Sequence, residues 1–247
     1  MIYYFSGTGN SKWVAKQIGK GISDKVVSIS EMSKNGEIPN EVKEGEILGI
    51  VFPSHMSLAP KPVTEFVKKI KIDKNAFVFA VCTCGDESGY SLKILKKYIN
   101  IDSGYSVIMP NNHITMLDSE SDKVIRNKIK NAKIKISYIC ENIKNRKKEI
   151  QYDKGIISML KSYVIAPIVL SQLNDKKFYV EDSCIGCKLC ERVCPVQNIE
   201  VVNGSPIWKN NCIHCMACIQ HCPKKAIQYG KSTKNRKRFV MKDNFDI

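Results

Sequence analysis

Hydrophobic and polar positions follow two periods over the first 150 residues. Short apolar runs at Ile2–Phe5, Val26–Ile29, Ile47–Phe52, Ala76–Val81 and Ser106–Met109 have the length of buried strands. Between them apolar residues recur at helical spacing: Trp13, Val14, Gln17 and Ile18; then Val63, Phe66, Val67 and Ile70; then Leu92, Leu95, Tyr98 and Ile99. Strand and helix alternate, which predicts a parallel α/β sheet. A longer stripe of Ile125, Ile129, Ala132, Ile136, Ile139 or Cys140, and Ile143 predicts one helix over about 118–148. Residues 155–173 are apolar but contain Lys161 and Pro167, and Ile156, Leu160, Val164 and Ile168 recur every four positions. That pattern predicts a helix broken near the proline and packed between two domains. Beyond residue 178 cysteine takes over from periodicity.

The ends of the strands carry the polar chemistry. Ile2–Phe5 runs into Ser6-Gly7-Thr8-Gly9-Asn10-Ser11-Lys12 before a helix begins. Strand, glycine-rich turn and helix make a phosphate cradle, because glycines allow a tight turn and the first helical amides and nearby hydroxyls donate to an anion. A Walker loop does not fit, since Lys12 lacks the required glycine and is followed by Trp13. The dinucleotide fingerprint fails too, because lysine stands where its third glycine belongs. A helix capped by Ser6 or Thr8 with two turn glycines is an alternative reading. The third strand ends in Pro53-Ser54-His55-Met56-Ser57 and the fourth in Cys82-Thr83-Cys84-Gly85, with Tyr90 further along. In an open parallel sheet such loops gather at the carboxyl ends of the strands, where ligands sit.

Eight of the eleven cysteines lie between Cys184 and Cys222. They form a repeat: Cys184-x2-Cys187-x2-Cys190-x3-Cys194-Pro195 aligns with Cys212-x2-Cys215-x2-Cys218-x3-Cys222-Pro223. Local cysteine density in a reducing compartment points to metal, not disulfide. This spacing is that of two [4Fe–4S] clusters in which the fourth cysteine of each run serves the other cluster. It assigns Cys184, Cys187, Cys190 and Cys222 to one cluster and Cys194, Cys212, Cys215 and Cys218 to the other. Zinc is the competing reading, but three cysteines in succession do not divide into two paired hooks. A purely structural role for the clusters is another. Lys188 and His214 sit beside the ligands, either to tune potential or simply as surface residues.

With these residues in view, two resemblances emerge. Residues from about 178 to 230 resemble a bacterial two-cluster ferredoxin, with 198–202 and 226–229 as its short strands. The S-G-T-G-N-S loop resembles the phosphate loop of flavodoxins, and the resemblance extends over about 1–145. Joined in this order, the halves resemble fused flavodoxin–ferredoxin proteins. The resemblance implies a flavodoxin-like doubly wound sheet of order 2-1-3-4-5 over 1–150, a helical linker over 151–177 and a small α+β ferredoxin-like domain over 178–247. It also implies FMN, with Ser6, Gly7, Thr8, Gly9, Asn10 and Ser11 at the phosphate. Pro53, Ser54, His55, Met56, Thr83, Cys84, Gly85 and Tyr90 would lie nearer the ring. For His55, a loop histidine bonded to backbone is an equal alternative. Cys82 and Cys140 read as packing residues.

Composition narrows the field. The chain has 247 residues, 43% hydrophobic and 26% charged, which excludes a disordered or fibrous protein. No 18-residue apolar run free of charge and proline suggests a membrane span. The N-terminus reads as a strand and not a signal peptide, so a cytoplasmic location is expected. The formal charge is +15. Two clusters and FMN would reduce this to roughly +9, enough to steer an acidic redox protein into contact. No nucleic-acid motif accompanies the lysines, and most of them read as a solvated face. The expected function is electron transfer between FMN and two clusters, adapting one-electron carriers to a two-electron partner. The rivals are an FMN-dependent reductase of a small molecule and a redox sensor with a basic partner-binding face.

Overall fold

The computed structural model describes residues 1–118, 120–151, 174–243 and 245. Six strands form a sheet: β1 (Ile2–Tyr4), β2 (Val26–Ser28), β3 (Ile47–Pro53), β4 (Phe77–Cys84), β5 (Ser103–Ile108) and β6 (Ile150–Gln151). Their order is β2-β1-β3-β4-β5-β6 and every pairing is parallel. This is the flavodoxin-like order, with β6 added at one edge. The periodicity gave no sign of β6, because two exposed residues cannot show a hydrophobic pattern.

Alternate residues of the strands feed two cores, as the period of two requires. On one face Tyr3, Phe5, Leu48, Ile50, Phe52, Val78, Ala80 and Cys82 pack against α2 (Ile29–Asn35), α3 (Lys61–Val67) and α4 (Ser91–Leu95). On the other, Ile2, Val51, Phe79, Val81, Tyr105 and Val107 meet α1 (Asn10–Ile22) and α5 (Asp122–Lys144). All eight residues of β4 are buried, as expected of a central strand covered on both faces. The whole expected stripe of α5 is buried, Cys140 included. The helix is shorter than its pattern suggested because Ser121 caps it, accepting from the Val124 amide at 3.5 Å. α4 also stops early, at Leu95, and leaves Tyr98 exposed with the Lys68 ammonium over its ring.

The cysteine-rich part is a separate small core. β7 (Phe178–Val180) pairs antiparallel with β10 (Ile227–Tyr229), and β8 (Ile199–Val202) with β9 (Ser205–Trp208). Two single-turn helices, α6 (Leu189–Val193) and α7 (Ala217–His221), lie between. The sequence repeat is a backbone repeat as well. Gly186 and His214, Lys188 and Met216, and Gln197 and Lys225 are matching pairs, and all six residues have positive φ. The tail then returns to the first sheet: Met241 is buried in the α1/α5 core and its amide donates to the Thr8 carbonyl at 2.9 Å. Asp243 accepts from Lys16 at 2.6 Å.

The expected linker helix at 155–173 lies outside the described residues. No helix among the described residues is long and apolar enough to cross a membrane.

The α5 stripe provides a controlled test of the packing. Ile129 is 0% exposed and Ile134, on the same helix, is 65% exposed. Ile129→Ala is expected to destabilise the sheet domain by about 2–5 kcal/mol. Ile134→Ala should change stability by no more than about 0.5 kcal/mol. Urea unfolding followed by Trp13 fluorescence measures both, and equal losses would show that the stripe does not face the core.

Candidate functional site

The carboxyl ends of β1, β3, β4 and β5 open into one cleft. Where β1 ends, Ser6 Oγ accepts the Gly9 amide at 3.1 Å, and Gly9 turns the chain into α1 with φ of 98°. No side chain caps α1, so neither Ser6 nor Thr8 acts as the N-cap. The first amide bonded within the helix is Trp13, to the Gly9 carbonyl at 2.8 Å. The amides of residues 10–12 therefore lack an intrahelical acceptor. Ser6 Oγ and Thr8 Oγ1 each accept a hydrogen bond, from Gly9 and from Asn112, which leaves their own O–H groups available as donors. The loop thus offers several donors at the positive end of a helix dipole.

The cleft is open to solvent at its mouth and is lined by the strand-end loops. Of the sequence-derived residues, Ser6, Gly7, Thr8, Asn10, Ser11, Pro53, Ser54, His55, Thr83, Cys84 and Gly85 line it. Gly9, Met56 and Tyr90 do not. Gly9 lies under the tail, where a Cβ would come within 2.2 Å of the Met241 carbonyl oxygen. Met56 has positive φ in a turn closed by paired hydrogen bonds between His55 and Leu58. Tyr90 precedes α4 and lies under the Lys93 ammonium. Cys84 joins the cleft wall, whereas Cys82 packs in the core with its thiol pushed up to about 12 by burial.

Two groups of lining residues were missed. Pro110, Asn111, Asn112 and His113 follow β5, and the rule that strand ends gather ligands applied to them equally. His214, Cys215 and Met216 come from the cysteine-rich part and form a roof. No local pattern could have shown that contact. The roof is held closely. A Cβ on Gly7 would lie 2.5 Å from the Cys215 carbonyl oxygen. Gln220 donates to the Asn112 carbonyl at 2.7 Å and accepts from the Phe239 amide at 2.8 Å. Arg236 donates to the Ile114 carbonyl at 2.6 Å, so part of the basic tail is a seam and not a solvated face.

All four histidines of the chain collect here. His55, His113 and His214 line the cleft, and His221 bonds to the Gly7 backbone. Burial lowers the pKa of His55 to about 3, with repulsion from His113 and His214 contributing. Burial likewise lowers His113 to about 4, with His214 next in effect. His214 is also lowered by burial, against the pull of the Asn174 carbonyl and Asp175. It is not a surface residue, because its ring packs against Phe178 and Tyr229. Its Nε2 faces the Asn174 carbonyl at 3.1 Å and so carries the proton, which leaves Nδ1 a buried acceptor without a partner among the described residues. Asn10 Oδ1 is a second such acceptor, since Asn10 Nδ2 donates to the Pro110 carbonyl. These two acceptors suit a ligand that carries hydroxyl or N–H donors, as a ribityl chain and a flavin ring do.

The eight cysteines surround two further cavities. Cys184, Cys187, Cys190 and Cys222 line one. Cys194, Cys212, Cys215 and Cys218 line the other. Burial first, with neighbouring thiols adding to it, pushes Cys215 up to about 12 and Cys218 well above its ordinary value. Cys190 and Cys212 are raised to about 11, again chiefly by burial. Four thiolates in such a place need compensating positive charge, which bound iron would supply. No three His, Cys, Asp or Glu side chains among the described residues converge on a single ion. Thiols spread around a cavity suit a multinuclear cluster better than zinc. The Asn198 amide reaches Cys194 Sγ at 3.2 Å and the His214 amide reaches Cys212 Sγ at 3.4 Å. Lys188, in contrast to His214, is exposed.

Residues 183–227 match the 4Fe–4S dicluster domain. Among solved structures, a Bacteroides uniformis protein described as a flavoprotein is 19% identical, with a TM-score of 0.34, covering 53% of this chain and 96% of its own. The Trp repressor binding protein from Bacillus subtilis is 11% identical, with a TM-score of 0.33, covering 56% of this chain and 95% of its own. No curated protein matches.

The neutral histidines give the cleft a pH dependence. A histidine whose pKa is depressed in the folded state contributes stability that is complete above 6.5, its unfolded value, and is lost as pH falls toward about 4 for His113. A shift of this size would remove about 2 kcal/mol between pH 7 and pH 5, and solvent at the cleft mouth reduces this to about 1 kcal/mol. His113→Asn is expected to narrow the difference in urea midpoint between these two pH values correspondingly. A gap as wide as in the parent protein would show that His113 is not held neutral.

Proposed function

We propose that the protein is an electron-transfer iron–sulfur flavoprotein that binds FMN in the cleft and two [4Fe–4S] clusters at the two four-cysteine cavities. The observation that carries this reading is the shared wall: Cys215 lines both the cleft and the second cysteine cavity. FMN exchanges one or two electrons and each cluster one, so together they can join one-electron and two-electron partners.

The roles of the residues follow from their bonding. The amides of residues 10–12 and the hydroxyls of Ser6 and Thr8 hold the phosphate. Ser11 Oγ and Thr83 Oγ1, 2.7 Å apart, tie the phosphate loop to the end of β4. Asn10 and His214 accept from the ligand's hydroxyl or N–H groups. Asn112 positions Thr8 and is itself held by Gln220. Cys184, Cys187, Cys190 and Cys222 hold one cluster; Cys194, Cys212, Cys215 and Cys218 hold the other. The roof weighs against a small-molecule reductase, since 214–216 already stand over the cleft. The basic surface and the absence of a nucleic-acid motif favour an acidic protein partner.

Two measurements test the reading. Protein purified without oxygen is expected to carry one FMN and about eight iron and eight sulfide per chain. Iron without flavin, and no uptake of added FMN, would sink the flavin half of the proposal. Gly7→Ala is expected to weaken FMN binding by about tenfold or more through overpacking against Cys215, with iron content unchanged. Undiminished FMN affinity in that variant would mean that the Cys215 loop is not a wall of the flavin site.

A further inference from the structure

The two cysteine cavities are chemically alike but differently placed. Cys194 and Cys218 are buried, and Cys215 faces the cleft. Around the other cavity Cys187 is exposed and Cys184, Cys190 and Cys222 are half-buried. Apolar side chains stand exposed on this outer cavity and on the nearby hairpin. Ile185 is 59% exposed, and Val202 and Ile207 on the outer face of the β8–β9 hairpin are 42% and 48% exposed. The loop and the hairpin touch: Cys184 Sγ lies 3.8 Å from the Gly204 carbonyl, and a Cβ on Gly186 would lie 3.1 Å from it. Ile185 therefore shares the cavity rim with Val201 and Pro206, while Val202 and Ile207 stand on the opposite face of the hairpin. An exposed apolar residue at the rim of a reactive centre suits an interaction site.

The charge around this face is positive. Lys188 and Lys224 line the cavity, are exposed, and have no ion-pair partner among the described residues. Arg192 is exposed and donates to the Cys187 carbonyl at 3.2 Å. Lys34 of α2 reaches the Arg192 carbonyl at 2.7 Å. The nearby acids are largely engaged: the Glu191 carboxylate accepts the Val201 amide at 2.8 Å, and Glu200 pairs with Lys209 at 3.6 Å. Asp182 and Glu200 are the exposed acids of this segment.

We infer that the rim formed by Ile185, Lys188 and Lys224 around Cys187 is the docking surface for an acidic one-electron carrier protein. The inference rests on the proposed cofactors and adds which of the two cysteine sites meets the partner. Apolar contact at the centre supplies affinity, and the basic rim selects an acidic surface and speeds encounter. Docking here puts the partner over the exposed Cys187, whereas the other site is turned toward the cleft.

The test uses the loaded full-length protein and an acidic [2Fe–2S] ferredoxin as probe, with binding measured by calorimetry at low ionic strength. One-to-one binding that weakens with added salt is expected. Lys188→Glu with Lys224→Glu should weaken it by about tenfold or more. Lys133→Glu with Lys144→Glu, in the groove between α1 and α5, should leave it unchanged. Ile185→Ser is expected to weaken binding without altering its salt dependence. Iron, flavin and far-ultraviolet circular dichroism are measured on every variant, so a lost cofactor is told apart from a lost surface. Absent binding by a fully loaded protein overturns the docking surface and leaves the cofactor reading standing. Equal loss in both lysine pairs, or equally tight binding of a basic cytochrome, overturns it as well.

Discussion

The backbone at Cys215 approaches Gly7 so closely that a methyl group would lie 2.5 Å from its carbonyl oxygen. The first glycine of the loop after β1 is thus needed for a second reason besides turning the chain. It admits another domain's backbone to the rim of the cleft. Other segments close the same seam: Gln220 bonds to Asn112 and Phe239, and the Met241 amide bonds to Thr8. Each such bond contributes only about 0.5–1.5 kcal/mol net. Their joint effect is geometric, since segments far apart in sequence leave the roof little freedom to slide. Residues 214–216 then belong to the cleft as fully as the strand-end loops do.

The repeat shows how one backbone serves two environments. Gly186 and His214 occupy equivalent positions with positive φ, at 62° and 51°. Glycine takes that conformation without strain and histidine does not. The first copy faces solvent and uses glycine, which brings its loop against Gly204. The second copy uses histidine, and the Phe178 and Tyr229 contacts and the bond to Asn174 offset the backbone cost. The departure from a small residue at 214 therefore marks the copy that faces the cleft. The exposure of Cys187 and the burial of Cys194 and Cys218 express the same asymmetry.

What the sequence revealed was local. Alternation of strand and helix, the glycine turn after β1 and the α5 stripe are written within a few residues, and each lies where its pattern placed it. The cysteine repeat was legible for the same reason. The roof was not, because contacts such as Gly7 with Cys215 span most of the chain and leave no periodic trace. Arg236 and Arg238 read as part of a charge run, yet they donate to the carbonyls of Ile114, Thr233 and Ile227. Composition cannot distinguish an arginine that binds backbone from one that faces water. Tyr90 is the aromatic nearest the third loop in sequence, but nearness in sequence does not bring it to the cleft. The loop after β5 obeys the same strand-end rule, but Pro110-Asn111-Asn112-His113 carries no glycine turn to mark it.

Charge ties the two surfaces together. The chain carries +15 formally, yet among the described residues no lysine or arginine lines the cleft and the three histidines there are held neutral by burial. An anion in the cleft must therefore be held by amides, hydroxyls and the α1 dipole. Lys12, the one cation in the phosphate loop, is drawn to Asp243 at 3.6 Å. The fixed positive charge lies outside, some of it around the exposed cysteine site. A buried cation beside a flavin would stabilise added electrons and raise the potential, whereas a distant surface charge acts mainly on approaching partners. On the proposed reading, keeping cations out of the cleft while placing them at the outer face would separate cofactor tuning from partner choice. In such a molecule, altering rim lysines should change which proteins it meets without changing the environment of its cofactors.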